Sequence, residues 1–469
     1  MSGIRLLLVV VVFCLSTFLF YKAAGTLKLT KLNMISTIYY FMLFFNMIGG
    51  SLIYLGFRNH YLIQKINTPG VIERTYYIWA YCAVMVPLAL CIVKMIISMV
   101  KRPRKISDFV QEGVRYNAKT YNIQIIVMAL IIICTLSTMY VFLHLGYIPV
   151  VSMLKGGNLN ALRQSGNRNF SGNQYVKNLI MSTLTPFVSY FTFIYYKITK
   201  SKTWKMLFYY MVILSVVVLT YDFSKSPIIT YLMGLYLIEV MLGNVTNEEK
   251  IRKLVLTTII LILFFYLVMM GVEKSSLLSI YSGPMGRIFF TQIATLFLHV
   301  DAFPMKSPFL NGASFNGWMS FLIPNAANIR SGRVVMSIYN AQGVETNTAG
   351  VMNTLFVGEA YANYGIIGVI IAPIVFGIVI GFFAYMLPAL KKRPTSILLY
   401  VQLTLQFTLI IEGGFVDIFY SASTIFLVLV TIMLYLFSSG TTAVAETALA
   451  ESSLKRKRGR LKFRFGSIR

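Results

Sequence analysis

The sequence predicts an all-α polytopic membrane protein with about eleven transmembrane helices and two long outer loops. Hydrophobic residues make up 57% of the 469 and charged residues 12%, about half the charged share of a typical soluble domain. Mean hydropathy is +0.72, so most of the chain must face lipid or other helices. The Lys and Arg residues, 42 against 15 Asp and Glu for a net charge of +27, gather in short segments between apolar runs. In that pattern they set membrane orientation rather than bind nucleic acid.

A helix needs roughly 20 apolar residues to cross the hydrocarbon core. Spans are expected at 4–21, 34–56, 76–100, 122–143, 178–197, 205–222, 226–243, 254–272, 365–388, 396–411 and 418–437. The first run lacks a small-residue cleavage site and reads as a retained helix. Every second connection is basic: Lys22, Lys28 and Lys31; Lys101 to Lys105; Lys197 to Lys205; Lys250 to Lys253; Lys391 to Arg393. These connections are expected in the cytosol, with the N-terminus outside and the C-terminus inside. Residues 1–437 then form a single transmembrane domain, and 438–469 a basic cytoplasmic tail whose Lys455-Arg456-Lys457-Arg458 run suits anionic headgroups. All four cysteines, Cys14, Cys82, Cys91 and Cys134, fall in apolar runs without metal-ligand spacing, so neither disulfides nor a metal is expected.

Two outer connections, 144–177 and 273–350, are long enough to expect function. The segment 286–300 is apolar but short, and spans, re-enters or lies at the interface. The first loop holds Lys155, Arg163, Arg168 and Lys177 and no acid, against the usual charge bias of that side. Arginine grips phosphate oxygens through two parallel N–H bonds, so Arg163 and Arg168 are candidate anion ligands; contact with lipid headgroups is the plainer alternative. Arg330-Ser331-Gly332-Arg333 echoes Arg163-Gln164-Ser165-Gly166-Asn167-Arg168, and Lys225 lies near the outer end of another span. His299 and Asp301 are candidates for an acid–base pair. In Gly358-Glu359-Ala360-Tyr361-Ala362-Asn363-Tyr364-Gly365, Glu359 is either a general base or an arginine partner, and Tyr361 and Asn363 offer hydrogen bonds to sugars. Glu412 and Asp417 on the last outer turn share Glu359's two readings and rank after it.

The Gly358–Gly365 run ahead of an apolar span with Pro373 and Gly377, the Ser224-Lys225-Ser226-Pro227 segment, and the arginine-bearing loop after the fourth span together resemble O-antigen and capsule repeat-unit polymerases of the Wzy type, over roughly residues 145–410. The resemblance implies a GT-C-like architecture in a bacterial inner membrane and a glycosyltransferase acting at the periplasmic face. It implies transfer of a growing glycan from undecaprenyl pyrophosphate to the non-reducing end of a lipid-linked repeat, without cofactor or metal. Lipid-linked oligosaccharides, membrane lipids and a chain-length regulator protein are the implied partners. Pyrophosphate binding then falls to Arg163, Arg168, Lys225, Arg330 and Arg333, acceptor deprotonation to Glu359 or His299, and glycan contact to Tyr361 and Asn363. Some members carry a glycine eleven residues after the loop arginine; here Gln174 and Leu179 stand there. An O-antigen ligase and a flippase or transporter of lipid-linked glycans are the alternatives. The near absence of charge inside the spans speaks against a path through the membrane.

Overall fold

The structure is a computed structural model that describes residues 2–100, 104–117, 119–145, 170–222, 226–245, 247–249, 251–253, 256–257, 260, 279–281, 283–346, 348–438 and 442–445. In chain order its main helices are α1 (Ser2–Ala24), α2 (Met34–Leu55), α3 (Val71–Val100), α4 (Tyr121–Leu145), α5 (Val176–Thr199), α6 (Lys202–Leu219), α7 (Ser226–Met241), α8 (Gln292–Ala302), α9 (Ser331–Tyr339), α10 (Phe356–Met386), α11 (Pro394–Ile410) and α12 (Ala422–Phe437). Eight of these are long and apolar enough to cross a membrane: α1 to α6, α10, and α12 taken with the turn before it as Val416–Phe437. The chain is therefore a multi-pass helical membrane protein. Helices α7 and α11 coincide with two further expected spans but are shorter. The expected span 254–272 lies almost wholly outside the described residues, as does most of the first outer loop.

Of the segment 286–300, Arg287–Thr291 form a π-helical stretch that leads into α8, and α8 is not one of the membrane-length helices. Ten of the 11 residues of α8, Ile293 to Ala302, are buried. Its exposed surface is too small to face lipid; protein surrounds it, the condition under which short apolar helices persist at membrane depth.

Helix α10 is broken. Tyr364 (φ −131°, ψ 15°) and Gly365 (φ 57°, ψ −137°) leave helical geometry, the second in a region that only glycine enters at little cost. The two parts fold against each other as a hairpin. Phe356 stacks on Phe376 at 4.2 Å, and a Cβ on Gly368 would lie 2.1 Å from the Ala360 carbonyl oxygen. In one continuous helix, residues 20 apart in the sequence stand roughly 30 Å apart. The long arm then packs on α3 through small residues: a Cβ on Gly377 would meet Ala89 at 2.6 Å, and one on Gly381 would meet Val93 at 3.0 Å.

Cross-contacts sort the connections into two ends. At one end, β1 (Val114–Asn117) pairs antiparallel with β2 (Thr442–Ala445). There Lys392 Nζ donates to the Val110 and Glu112 carbonyls at 2.8 Å, Arg104 pairs with Glu112 at 2.7 Å, and Lys94 and Tyr385 both bond the Ala23 carbonyl. This is the end where the basic connections gather, and among the described residues the small strand pair is the one departure from helices and their connections. At the far end, Arg5 pairs with Glu73 at 2.6 Å, His60 meets Thr291, and Lys65 donates to the Tyr339 carbonyl. The Arg5 pair explains how the first span tolerates an arginine near its N-terminal end.

Candidate functional site

Three elements of the far end converge on one guanidinium. Arg330 sits at the N-cap of α9, Glu359 in the short arm of the α10 hairpin, and Asp417 in the turn Val416–Ile418 before α12. Arg330 Nη1 donates to both Glu359 carboxylate oxygens at 3.4 Å, and Nη2 donates to Asp417 Oδ1 in a very short bond. Glu359 Oε2 also accepts from the Val416 backbone N–H at 3.2 Å. Gly414 (φ +149°) closes over the group, and a Cβ there would lie 2.3 Å from Glu359 Oε2. Burial alone opposes the charge on Arg330, but the Glu359 and Asp417 carboxylates outweigh it and hold the guanidinium above its usual range. The side chains are unequally accessible: Glu359 is 3% exposed, Asp417 25% and Arg330 30%. Any solute reaching the cluster meets Asp417 and Arg330 first.

The structure brings Arg330 and Glu359 together, as an ion pair rather than as a base beside an open phosphate site. Arg333, one turn on, is exposed and makes no ion pair among the described residues. His299 is fully buried. Its Nδ1 faces the Thr295 carbonyl at 2.8 Å and its Nε2 the Ser331 hydroxyl at 3.2 Å. That pattern is a neutral ring donating from Nδ1 and accepting at Nε2, and burial lowers its pKa to about 4. The expected His299–Asp301 pair does not form. Asp301 is taken by Lys306 at 2.5 Å and by the Tyr339 hydroxyl, because residues two apart on a helix point to different faces. His299 thus braces Ser331, the neighbour of Arg330, instead of standing ready as an acid or base.

Tyr361 and Asn363 also turn inward. Tyr361 donates to the Phe303 carbonyl at 3.2 Å. Asn363 Nδ2 donates to Ser314 Oγ at 3.0 Å and the Glu359 carbonyl at 2.8 Å, while its Oδ1 accepts from the Gly312 N–H at 3.1 Å. Both residues tie the 303–314 loop to the hairpin and leave little for a sugar. Hydrogen-bonding capacity lies open elsewhere. A cleft of about 490 Å³ on the other flank of α9 is lined by Tyr61, Thr291, Gln292, Asn340 and Asn353, among others. Sequence reasoning passed over these amides because they sit singly in unremarkable segments.

Arg163, Arg168 and Lys225 lie outside the described residues. Among the described residues no three His, Cys, Asp or Glu side chains gather closely enough to hold a metal ion. Glu412, five residues before Asp417, buries its Oε1 without a hydrogen-bond partner among the described residues, and burial raises its pKa to about 8.

Fold and cluster together define a class: a multi-pass α-helical membrane protein with an arginine-bridged carboxylate pair at the end opposite its basic connections. No protein-family model, no curated protein and no solved structure matches the chain.

Proposed function

We propose that the protein is a Wzy-type polysaccharide polymerase with eleven spans and a GT-C-like architecture in a bacterial inner membrane, its Arg330 cluster facing the periplasm. It transfers a growing glycan from undecaprenyl pyrophosphate to the non-reducing end of a lipid-linked repeat. The observation that carries this reading is the Arg330 bridge between Glu359 and Asp417, at the end away from the basic connections. A charged cluster in an apolar bundle is costly and points to use rather than packing.

In this reaction the acceptor hydroxyl attacks the anomeric carbon of the donor and the carbon–oxygen bond to pyrophosphate breaks. The hydroxyl proton passes to the carboxylate pair. Asp417 is the member a hydroxyl reaches, and Glu359, behind it, holds Arg330 in place. Negative charge grows on the departing undecaprenyl pyrophosphate, and fixed guanidinium groups stabilise it more in the transition state than in the ground state. Arg333 is exposed beside the cluster for this task; Arg163, Arg168 and Lys225 are the further cations proposed for it. The amide-lined cleft takes over the glycan contacts first expected of Tyr361 and Asn363.

The test is turnover of a lipid-linked repeat by the purified protein, read as a glycan ladder. Wild type forms the ladder, and Asp417→Asn and Arg330→Ala abolish it. An unchanged ladder from both variants removes the cluster from the chemistry. Transfer of finished chains onto lipid A-core without a ladder identifies a ligase, and translocation without bond formation a flippase.

A further inference from the structure

A stretch without charge leads into Arg330. Residues 307–329 contain no Lys, Arg, Asp or Glu, although they form a connection rather than a span. In a water-facing loop the large apolar side chains turn inward. Here the one-turn helix Gly317–Phe321 turns them out, leaving Trp318 56%, Phe321 73% and Leu322 67% exposed. Local backbone bonds hold that exposure in place: Met319 N–H donates to Asn316 at 2.8 Å, Leu322 to Met319 at 2.9 Å, Asn328 to Phe315 at 2.7 Å and Ile329 to Ala313 at 2.8 Å. Met319 is buried beneath as the inward anchor.

The patch runs on into the membrane-facing surface. Trp318 lies edge-on to Tyr420 at 5.1 Å, just before the first residue of α12. Phe419 beside it is exposed, and α12 continues with exposed Ile425, Leu429 and Ile432. An aromatic with one polar edge, next to a span's end and flanked by uncharged Asn and Ser, matches the boundary between headgroups and acyl chains. Exposed apolar patches of this kind mark an interaction surface, and continuity with α12 identifies the occupant as lipid.

We propose that the turn Gly317–Phe321 inserts Trp318, Phe321 and Leu322 into the headgroup–acyl boundary of the leaflet at the far end, anchoring the Arg330 cluster at the membrane surface. The inference does not depend on the glycan reading. The chain has three tryptophans, and Trp79 and Trp204 are buried, so the difference between wild type and Trp318→Phe isolates one exposed indole. The full-length protein is reconstituted in phosphatidylcholine vesicles whose acyl chains carry bromine at shallow or deep positions. The expected difference spectrum is blue-shifted from that of water-exposed indole, loses most intensity to shallow bromines and little to aqueous iodide. A red-shifted component quenched by iodide and indifferent to bromine overturns the proposal. So does a component quenched chiefly by deep bromines, which places the indole in the hydrocarbon core.

Discussion

Arg330 has a structural duty apart from the chemistry proposed for it, since it bridges Glu359 and Asp417. Removing it leaves Glu359 buried beside Gly414 with a single backbone N–H for company. Arg330→Ala is therefore expected to cost about 3 kcal/mol of stability, measured by thermal unfolding in detergent, and the double variant with Glu359→Gln should recover part of it. A double variant no more stable than Arg330→Ala would mean that the pair contributes little. Arg330→Lys keeps the charge but loses the fork that reaches both carboxylates, so turnover falls without a matching loss of stability. His299 gives a pH dependence with a defined sign. Burial lowers its folded pKa to about 4, whereas the unfolded chain titrates near the ordinary value of about 6.5. Between those values the unfolded state binds more protons, so stability falls as pH drops, by up to about 1.4 kcal/mol per unit. His299→Gln should lack this slope; parallel wild-type and variant melting curves from pH 7 to pH 4.5 would show that the ring is not buried neutral.

The α10 hairpin is the element on which the site depends, since its short arm carries Glu359 and its long arm packs on α3. Two glycines permit it for different reasons. Gly365 supplies a left-handed backbone at φ 57°, and Gly368 supplies the space taken by the Ala360 carbonyl. Gly365→Ala and Gly368→Ala should each cost about 1–3 kcal/mol and reduce turnover by displacing Glu359. Gly350→Ala is the control, because a Cβ there meets nothing within 4 Å. Equal melting temperatures for all three variants would argue against the hairpin. At the basic end, Lys392 is fully buried and braces the 104–117 connection through two carbonyls. Lys392→Met leaves those carbonyls unpaired and should destabilise by about 1–3 kcal/mol.

Across the whole molecule, the contacts assign connections to ends independently of charge counting. Strand pairing joins 114–117 to 442–445, and the Lys392 bonds join 387–393 to 104–112. The Arg330 cluster joins 330, 359 and 417 at the other end. Cysteine-accessibility labelling from each side of sealed vesicles should therefore protect 105–117, 391–393 and 442–445 together, and expose 56–70, 303–330 and 412–420 together from the opposite side. A split within either group would undo the arrangement. Labelling of Trp318→Cys should also be slower than its exposure in isolation suggests, since lipid covers it.

Hydropathy in the sequence determined the membrane class and the positions of the eight membrane-length helices, and charge marked the basic connections between them, because each depends on the local transfer of side chains between water and lipid. The same signals marked Arg330, Glu359 and Asp417 separately. Only tertiary structure decided that these three meet, since their partners come from connections far apart in the chain. The α10 fold-back was invisible for the same reason: a single glycine reads as a helix blemish until the carbonyl it accommodates is in place. Tyr361, Asn363 and His299 looked functional as polar residues near a span's end, yet packing spends their hydrogen bonds inside the protein. Local pattern fixes which medium a segment prefers; which side chains remain free for chemistry is a property of the assembled contacts.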